Sequence, residues 1–428
     1  MNRLQLAAAA VAMTALAAAP LRAQDAVEPG SALTISVITM GPGTAVWERF
    51  GHNAIRVTDA VTGADTTYNY GMFDFGAERF FLRFAQGRPP YWTEGHRADR
   101  EIGAYIRADR SVWSQELDLT PAQKVALRDF LEWNSREENK YYGYDYFLDN
   151  CSTRVRDAID RVLGGVIEAQ TTGVPTATTW RSHTRRLTAA DPLAYTGLNI
   201  GLGPATDRPI SSWEEMFLPL ALRDHLRRIQ VPVPGGGTRP LVRSEATEYV
   251  SSAPEPPAEP PTWWPRYLGA GVVIGALLLL LGERSRSCAV ARVGFRVVGI
   301  GWSVLAGLAG VALAYLWAFT DHSAAYANQN LFQLSPLSLL LAPLLAGVGA
   351  RGGPGRWAVR LAVAVAVLAL GGLLWKALPL VQQQVNGETI ALALPIQAAL
   401  GLAVWRAARR QDQRDTGDPV PGPQSSPR

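Results

Sequence analysis

Residues 146–157 read Tyr-Phe-Leu-Asp-Asn-Cys-Ser-Thr-Arg-Val-Arg-Asp, and they predict the start of a helix. Apolar residues continue at helical spacing to Leu163, and Gly164-Gly165 ends the pattern. Cys151 therefore falls in the first helical turn. The helix dipole and the unpaired backbone N–H groups there favour a thiolate and lower the pKa of a thiol. We expect Cys151 to be a nucleophile; a small buried apolar side chain is the alternative.

The segments before this helix predict a mixed α+β domain. Strand patterns occupy residues 31–40, 47–59, 66–73 and 111–119. Thr120 then begins a helix as its N-cap, with Pro121 in the first position and Gln123 completing a capping box. This helix is expected to end near Asn134.

The chain divides into five regions by composition. A basic start and an apolar alanine-rich run predict a signal peptide cleaved near Ala23. The soluble domain follows, then a proline-rich linker, a strongly apolar region and a polar tail that is expected to be disordered. The predicted boundaries are 1–23, 24–250, 251–264, 265–405 and 406–428.

The apolar region contains five candidate membrane spans, and its arginines indicate their direction. The spans are expected near 265–282, 297–319, 335–350, 357–380 and 389–405. Arginines cluster in the loops after spans one and three and after span five, whereas 320–334 and 381–388 contain no Lys or Arg. The positive-inside rule then places the C-terminus in the cytoplasm and residues 24–250 in the periplasm, on an inner-membrane protein.

The same topology accounts for the formal net charge of +4, so no nucleic-acid partner is expected. It also isolates Cys151, because the only other cysteine, Cys288, is assigned to a cytoplasmic loop. No disulfide between the two is then expected. The oligomeric state is left open.

A cysteine nucleophile needs a base, and His52 is the best candidate. It begins a predicted core strand in Phe-Gly-His-Asn-Ala-Ile-Arg-Val (50–57). His96, His183 and His225 lie in polar contexts and are expected at the surface. No cluster of His, Cys and carboxylates has metal-ligand spacing, so we expect no metal and no cofactor.

Several segments resemble a bacterial membrane-protein family of Lnb type, named for the lipoprotein N-acyltransferase of Bacteroides. They include the His52 segment, Tyr-Asn-Tyr-Gly-Met-Phe-Asp-Phe (68–75) and Phe-Leu-Arg-Phe-Ala-Gln-Gly-Arg (81–88). Further matches are Asp-Asn-Cys-Ser-Thr-Arg (149–154), Asp-Arg-Pro-Ile-Ser-Ser-Trp-Glu-Glu-Met-Phe-Leu-Pro (207–219) and the loop from His322 to Asn330-Leu331. The order of His52 and Cys151 is also similar to that of circularly permuted, papain-like acyltransferases of the lecithin:retinol type.

The resemblance implies a thiol acyltransferase that is anchored in the membrane. Cys151 would take an acyl chain from a phospholipid as a thioester and pass it to the N-terminal amine of a diacylated lipoprotein. His52 would act as general base and then as general acid.

Other residues are weaker candidates. Asn150 either caps the helix or shapes the site, and the cap is the favoured interpretation. Asn69, Tyr70 or Asp74 is expected to orient His52. Arg49 and Arg154 are candidates for binding a lipid phosphate, and His322 and Asn330, on an outer loop, for binding lipid; ordinary surface and loop roles are the alternatives.

Two other functions remain open at this stage. The same Cys-His pair could pass its thioester to water, as a phospholipid or amide hydrolase. The chain could also be a non-catalytic membrane receptor or assembly protein, in which Cys151 has no chemical role.

Overall fold

The computed structural model describes residues 28–379 and 382–415. The predicted signal peptide and residues 416–428 of the predicted tail lie outside this part of the chain. The bounds of the strands are β1 (Leu33–Met40), β2 (His52–Asp59), β3 (Asp65–Met72), β4 (Pro90–Arg97), β5 (Val112–Leu117), β6 (Tyr141–Gly143), β7 (Gln230–Pro232), β8 (Thr238–Pro240) and β9 (Val242–Tyr249).

A seven-stranded sheet forms the frame of the N-terminal domain. Its order is β6-β4-β3-β2-β1-β5-β9, and every neighbouring pair is antiparallel. The four predicted strands occupy four of these positions. The edge strand β9 lacks an apolar face, because six of its eight residues are exposed, so no alternating pattern marked it in the sequence.

The helices of the N-terminal domain surround the sheet. They are α1 (Phe80–Ala85), α2 (Ala98–Arg107), α3 (Pro121–Asn134), α4 (Cys151–Leu163), α5 (Val166–Thr171), α6 (Trp180–Thr188), α7 (Pro192–Gly201), α8 (Ser212–Glu215) and α9 (Pro219–Leu226). The predicted capping box of α3 is present: Gln123 N–H donates to Thr120 Oγ1 at 3.3 Å, and Thr120 N–H donates to Gln123 Oε1 at 3.0 Å.

The two faces of the sheet bury separate cores. One face packs against α3 and α4 through fully buried side chains such as Ile55, Leu127 and Ile159. The other face carries Ile38 and Met40 and is covered by α2. The N-terminal domain is therefore of mixed α and β structure, as predicted, while a permuted papain-like topology stays a prediction.

Five apolar helices follow, each long enough to cross a membrane. They are α10 (Trp264–Arg284), α11 (Ala289–Phe319), α12 (Leu337–Leu344), α13 (Arg356–Leu374) and α14 (Gly387–Asp415), with α12 extended by 3₁₀ turns at Gln329–Phe332 and Leu345–Gly347. We predicted a disordered tail from residue 406. Instead, α14 continues to Asp415, and Arg406 pairs with Glu283 of the first span at 2.8 Å.

A buried carboxylate joins the two domains. Glu388 lies in the first turn of α14 and is 5 % exposed. It accepts hydrogen bonds from Arg185 Nη2 at 2.9 Å, Tyr195 Oη at 2.8 Å and Asn199 Nδ2 at 2.9 Å. A buried charge with this many donors is well compensated, so it fixes the N-terminal domain against the end of the fifth span.

Candidate active site

Cys151 begins helix α4, and Asn150 fixes that start. Asn150 Oδ1 accepts from the backbone N–H groups of Ser152 at 2.8 Å and Thr153 at 3.0 Å, as an N-cap does. Its Nδ2 donates to the carbonyl oxygen of Phe217 at 2.9 Å. Asn150 therefore positions the helix as a cap, which is the interpretation that the sequence favoured.

The electrostatics of the Cys151 thiol differ from the expectation. The backbone N–H groups of Asn53, Ser152 and Cys151 itself, together with the positive charge of Arg110, favour the thiolate and act to lower the pKa of the thiol. Burial nevertheless dominates and raises the pKa of Cys151 to about 11. The predicted lowering of this pKa is wrong, because desolvation outweighs the helix start. Cys151 rests as a neutral thiol.

His52, the first residue of β2, is held by one amide. Its Nε2 lies 3.0 Å from Asn69 Oδ1 on the neighbouring strand β3. Asn69 Nδ2 donates to the carbonyl oxygen of Thr67 at 3.3 Å, which sets the orientation of the amide. Because Oδ1 can only accept, Nε2 carries the proton and Nδ1 keeps a free lone pair. Asn69, and not Tyr70 or Asp74, is therefore the residue that orients His52.

The His52 ring is also neutral. Burial lowers the pKa of His52 to about 4; the hydrogen bond to Asn69 opposes this shift and the charge of Arg110 adds to it. At neutral pH the site therefore contains a thiol and an imidazole, and not a thiolate and an imidazolium.

Shared neighbours bring Cys151 and His52 to the same end of the sheet. The backbone N–H of Asn53, the residue after His52, favours the thiolate of Cys151. Arg110 acts electrostatically on both side chains. Tyr105 stacks on the His52 ring with centroids 6.0 Å apart and also interacts with the thiol. Cys151 and His52 therefore share Arg110, Tyr105 and the backbone at residues 52–53 as their surroundings.

Tyrosines and one glycine enclose the thiol. Gly71 has φ of +84°, and a Cβ built there would lie 3.6 Å from Cys151 Cβ and 3.6 Å from Tyr144 Cε2. Tyr91 stacks on Tyr144 with centroids 4.2 Å apart. The space around the sulfur is thus narrow, apolar and walled by aromatic rings.

Tyr70 and Asp74 have structural contacts elsewhere. Tyr70 is 1 % exposed, and its hydroxyl donates to Asn134 Oδ1 at 3.0 Å. Asp74 accepts from the backbone N–H of Gly76 at 2.7 Å in an exposed turn. Neither reaches the His52 ring through these contacts.

The four candidate lipid-binding residues differ in how far their side chains are already engaged by other protein groups. Arg154 forms a bidentate pair with Asp149 at 2.6 and 2.8 Å, which occupies its guanidinium. Asn330 is fully buried and bonds to the carbonyl oxygen of Ile200 at 2.9 Å, so it joins the two domains and is not a lipid contact. His322 is exposed. Arg49 is partly buried, and its Nε has no hydrogen-bond partner in the described part of the chain.

His183 and His225 are buried, so their predicted surface location is wrong. Both donate to Glu215, from His183 Nε2 at 2.9 Å and from His225 Nε2 at 2.8 Å. Although burial opposes it, these hydrogen bonds hold the pKa of Glu215 well below its usual range. The next residue, Met216, accepts from the Ser152 hydroxyl at 2.7 Å, so this cluster supports the start of α4.

The sequence did not indicate Tyr105 and Arg110. Arg110 is 5 % exposed; its Nε donates to the carbonyl oxygen of Gly41, and its Nη2 has no partner among residues 28–379 and 382–415. Tyr105 and Arg110 lie near the site because α2 packs on the sheet, and no local sequence motif predicts that packing. Among the described residues, no group of three or more His, Cys, Asp or Glu could hold a metal ion.

Both domains of the chain match models of one protein family. The family model described as Lnb N-terminal periplasmic domain matches residues 22–186, and the Lnb transmembrane domain matches residues 271–411. The chain belongs to the Lnb-type family, as the sequence resemblance indicated, and it is a membrane protein with a periplasmic N-terminal domain. No curated protein and no solved structure matches it significantly.

Proposed function

We propose that the protein is a thiol acyltransferase that moves an acyl chain from a membrane phospholipid, through a Cys151 thioester, to the N-terminal amine of a diacylated lipoprotein. The observation that carries the proposal is the neutral His52, whose Nε2 lies 3.0 Å from Asn69 Oδ1, together with a Cys151 thiol whose ionised form is favoured by the backbone N–H groups of Asn53, Ser152 and Cys151 and by Arg110. Cys-His-Asn is the constellation of papain-like thiol enzymes. Membership of the Lnb-type family supports the choice of substrates.

In the first half-reaction, Cys151 Sγ attacks the ester carbonyl of the phospholipid. The S–C bond forms while His52 Nδ1 takes the thiol proton. The backbone N–H groups of Asn53 and Cys151, which favour negative charge on the sulfur, would also stabilise the oxyanion. The C–O bond then breaks, and the leaving lysophospholipid alcohol receives the proton from His52.

In the second half-reaction, the lipoprotein amine attacks the thioester. The C–N bond forms as His52 takes a proton from the amine, and the C–S bond breaks as His52 returns that proton to the sulfur. The aromatic wall of Tyr91 and Tyr144 favours amine over water as the acceptor, because it restricts the entry of water to the thioester.

The proposed topology matches a reaction between two lipids. We place the protein in the inner membrane, with its C-terminus in the cytoplasm, on the arginine distribution of its loops. The catalytic domain would then face the periplasmic leaflet, where exported lipoproteins are held by their own acyl chains.

The acceptor is tested in a bacterial host whose own lipoprotein N-acyltransferase is depleted. We expect expression of this chain to convert diacylated lipoproteins to the triacylated form, as measured by mass spectrometry of their N-terminal peptides. If lipoproteins stay diacylated while Cys151 still acquires an acyl thioester, the acceptor is wrong and hydrolysis becomes the better account.

We expect thioester formation to be nearly independent of pH from about pH 5.5 to pH 9. The reaction needs neutral His52, and its pKa of about 4 lies below the ordinary value of 6.5, so the base stays available until the pH falls below about 5. The thiol, with a pKa of about 11, stays protonated throughout this range. Single-turnover rates with phospholipid alone measure the profile. An acid limb centred near pH 6.5 would contradict it.

Asn69→Asp is expected to raise the midpoint of that acid limb by about one pH unit, because a carboxylate at hydrogen-bond distance stabilises the imidazolium of His52. Single-turnover rates measured across the same pH range give the midpoint of the acid limb in this variant. Asn134→Asp is the matched control, since Asn134 is also a buried amide but bonds to Tyr70. A lower rate with an unmoved midpoint in Asn69→Asp would mean that Asn69 has only a structural role.

A further inference from the structure

The N-terminal domain carries an exposed aromatic patch on and beside helix α1. Phe81 is 70 % exposed, Leu82 51 %, Phe84 50 % and Phe75 47 %. We call these four residues the aromatic ledge. A contiguous exposed patch of large apolar side chains marks an interaction surface on a folded domain.

The ledge lies at the membrane end of the second span. That span ends at Phe319, and the loop that follows at once binds the end of α1. Asp321 N–H donates to the carbonyl oxygen of Gln86 at 2.9 Å. His322 Nε2 donates to the carbonyl oxygen of Phe84 at 2.8 Å. The ledge is therefore fixed next to the end of the second span.

Charges next to the ledge fit a phospholipid surface. Arg79 and Arg83, at the start and within α1, are both exposed. Arg88, just after α1, is paired with Asp321 at 2.5 Å. Arginine beside exposed aromatic side chains is typical of elements that lie in the membrane interface, where the guanidinium meets phosphates and the rings meet acyl chains.

A continuous row of aromatic rings connects the ledge to the thiol. Phe80 is buried and contacts both Phe81 and Phe84, with centroids 5.6 and 6.1 Å apart. Phe73 lies 5.9 Å from Phe80 and 5.3 Å from Tyr91. Tyr91 stacks on Tyr144, and Tyr144 Cε2 and Cys151 Cβ each lie 3.6 Å from the position of a Cβ built on Gly71.

We propose that the aromatic ledge inserts among the acyl chains of the periplasmic leaflet and that an acyl chain reaches Cys151 along this row of rings. The proposal of insertion rests only on the exposure of the ledge and on the contacts between α1 and the loop after the second span. The route of the acyl chain rests on the proposed function, so each part has its own test.

Insertion is tested with a benzoyl-phenylalanine at position 81 of the full chain, reconstituted in vesicles of phosphatidylethanolamine and phosphatidylglycerol. The matched control carries the same group at position 61, since Val61 is 76 % exposed in the turn between β2 and β3. Illumination is expected to cross-link acyl chains at position 81 and not at position 61, as read by mass spectrometry. No lipid adduct at position 81, or equal adducts at both, would overturn insertion whether or not the protein is an acyltransferase.

The acyl route is tested with the double variant Phe81→Ser, Phe84→Ser. We expect its thioester formation from vesicle phospholipid to fall at least about tenfold, while formation from dihexanoyl phosphatidylcholine below its critical micelle concentration stays within about twofold. Val61→Ser is the control for the loss of an exposed apolar group. An equal loss with both donors, or no loss with vesicles, would overturn the route. If wild type forms a thioester with neither donor, the proposed function fails, and the cross-link still decides insertion.

Discussion

Replacing Cys151 by alanine is expected to abolish lipoprotein N-acylation, with residual activity below about one-thousandth of wild type. The thiol is the strongest nucleophile of the site, and the neighbouring Ser152 and Thr153 hydroxyls donate to the backbone carbonyl oxygens of Met216 and Asn150. The measurement is the fraction of triacylated lipoprotein after reconstitution in vesicles. The small volume lost at a partly buried position lowers the free energy of unfolding by only about 1 kcal/mol, so the variant folds.

Cys288→Ala is the matched control. Cys288 is the other cysteine of the chain, is exposed and caps helix α11. We expect it to leave N-acylation within about twofold of wild type. Activity that survives in Cys151→Ala would remove the thiol from the mechanism and favour a non-catalytic role for the protein.

His52→Ala is expected to slow thioester formation by about 10³-fold, within the usual range for the loss of a general base. The thiol has a pKa of about 11, so almost no thiolate forms at pH 7 without a base, and the alanine variant cannot take the proton. Part of the rate should return as the pH is raised toward 11, because hydroxide then generates the thiolate directly. Single-turnover kinetics across pH measure both effects.

His96→Ala is the control for this histidine. His96 lies on β4 of the same sheet and is bonded to Glu101 at 3.0 Å, and nothing places it beside the thiol. Its loss is expected to change the rate by less than about twofold. If His52→Ala retains the wild-type rate while His183→Ala loses it, the base has been assigned to the wrong histidine.

The local sequence is sufficient to predict the helices and strands that carry the site residues. The capping box at Thr120 and Gln123 and the glycines after Leu163 mark helix ends through bonds between near neighbours. These helix-end signals depend only on residues that are close in sequence, so the rest of the fold does not change them. The Asn150 cap is a signal of the same kind, and it marks where Cys151 begins its helix.

The electrostatics of the site depend on contacts that are distant in sequence, and there the sequence misleads. A helix start alone lowers the pKa of a thiol, but the strands and tyrosines that fold over Cys151 desolvate it and reverse the shift. His183 and His225 occupy polar stretches, but Glu215 draws both into the interior. Polar composition does not show that such a partner exists.

The outer loops show a related limit. Asn330 was a candidate for binding lipid because it lies on an outer loop near the membrane surface, and ordinary loop polarity was the alternative. The loop instead docks against the N-terminal domain through Asn328 and Asn330, which bond to carbonyl oxygens near the end of α7. Polar side chains at a membrane surface thus serve here to hold two domains together.

If Cys151 carries the acyl chain, the peptide that contains Cys151 gains the mass of that chain. The full chain is mixed with phospholipid vesicles without a lipoprotein acceptor, then digested under acidic conditions and examined by mass spectrometry. We expect one added acyl group on the Cys151 peptide, which hydroxylamine releases and which forms about 10³-fold more slowly in His52→Ala at pH 7. An unmodified Cys151 peptide in wild type, after exposure to vesicles that contain each major phospholipid class of the inner membrane, would contradict it.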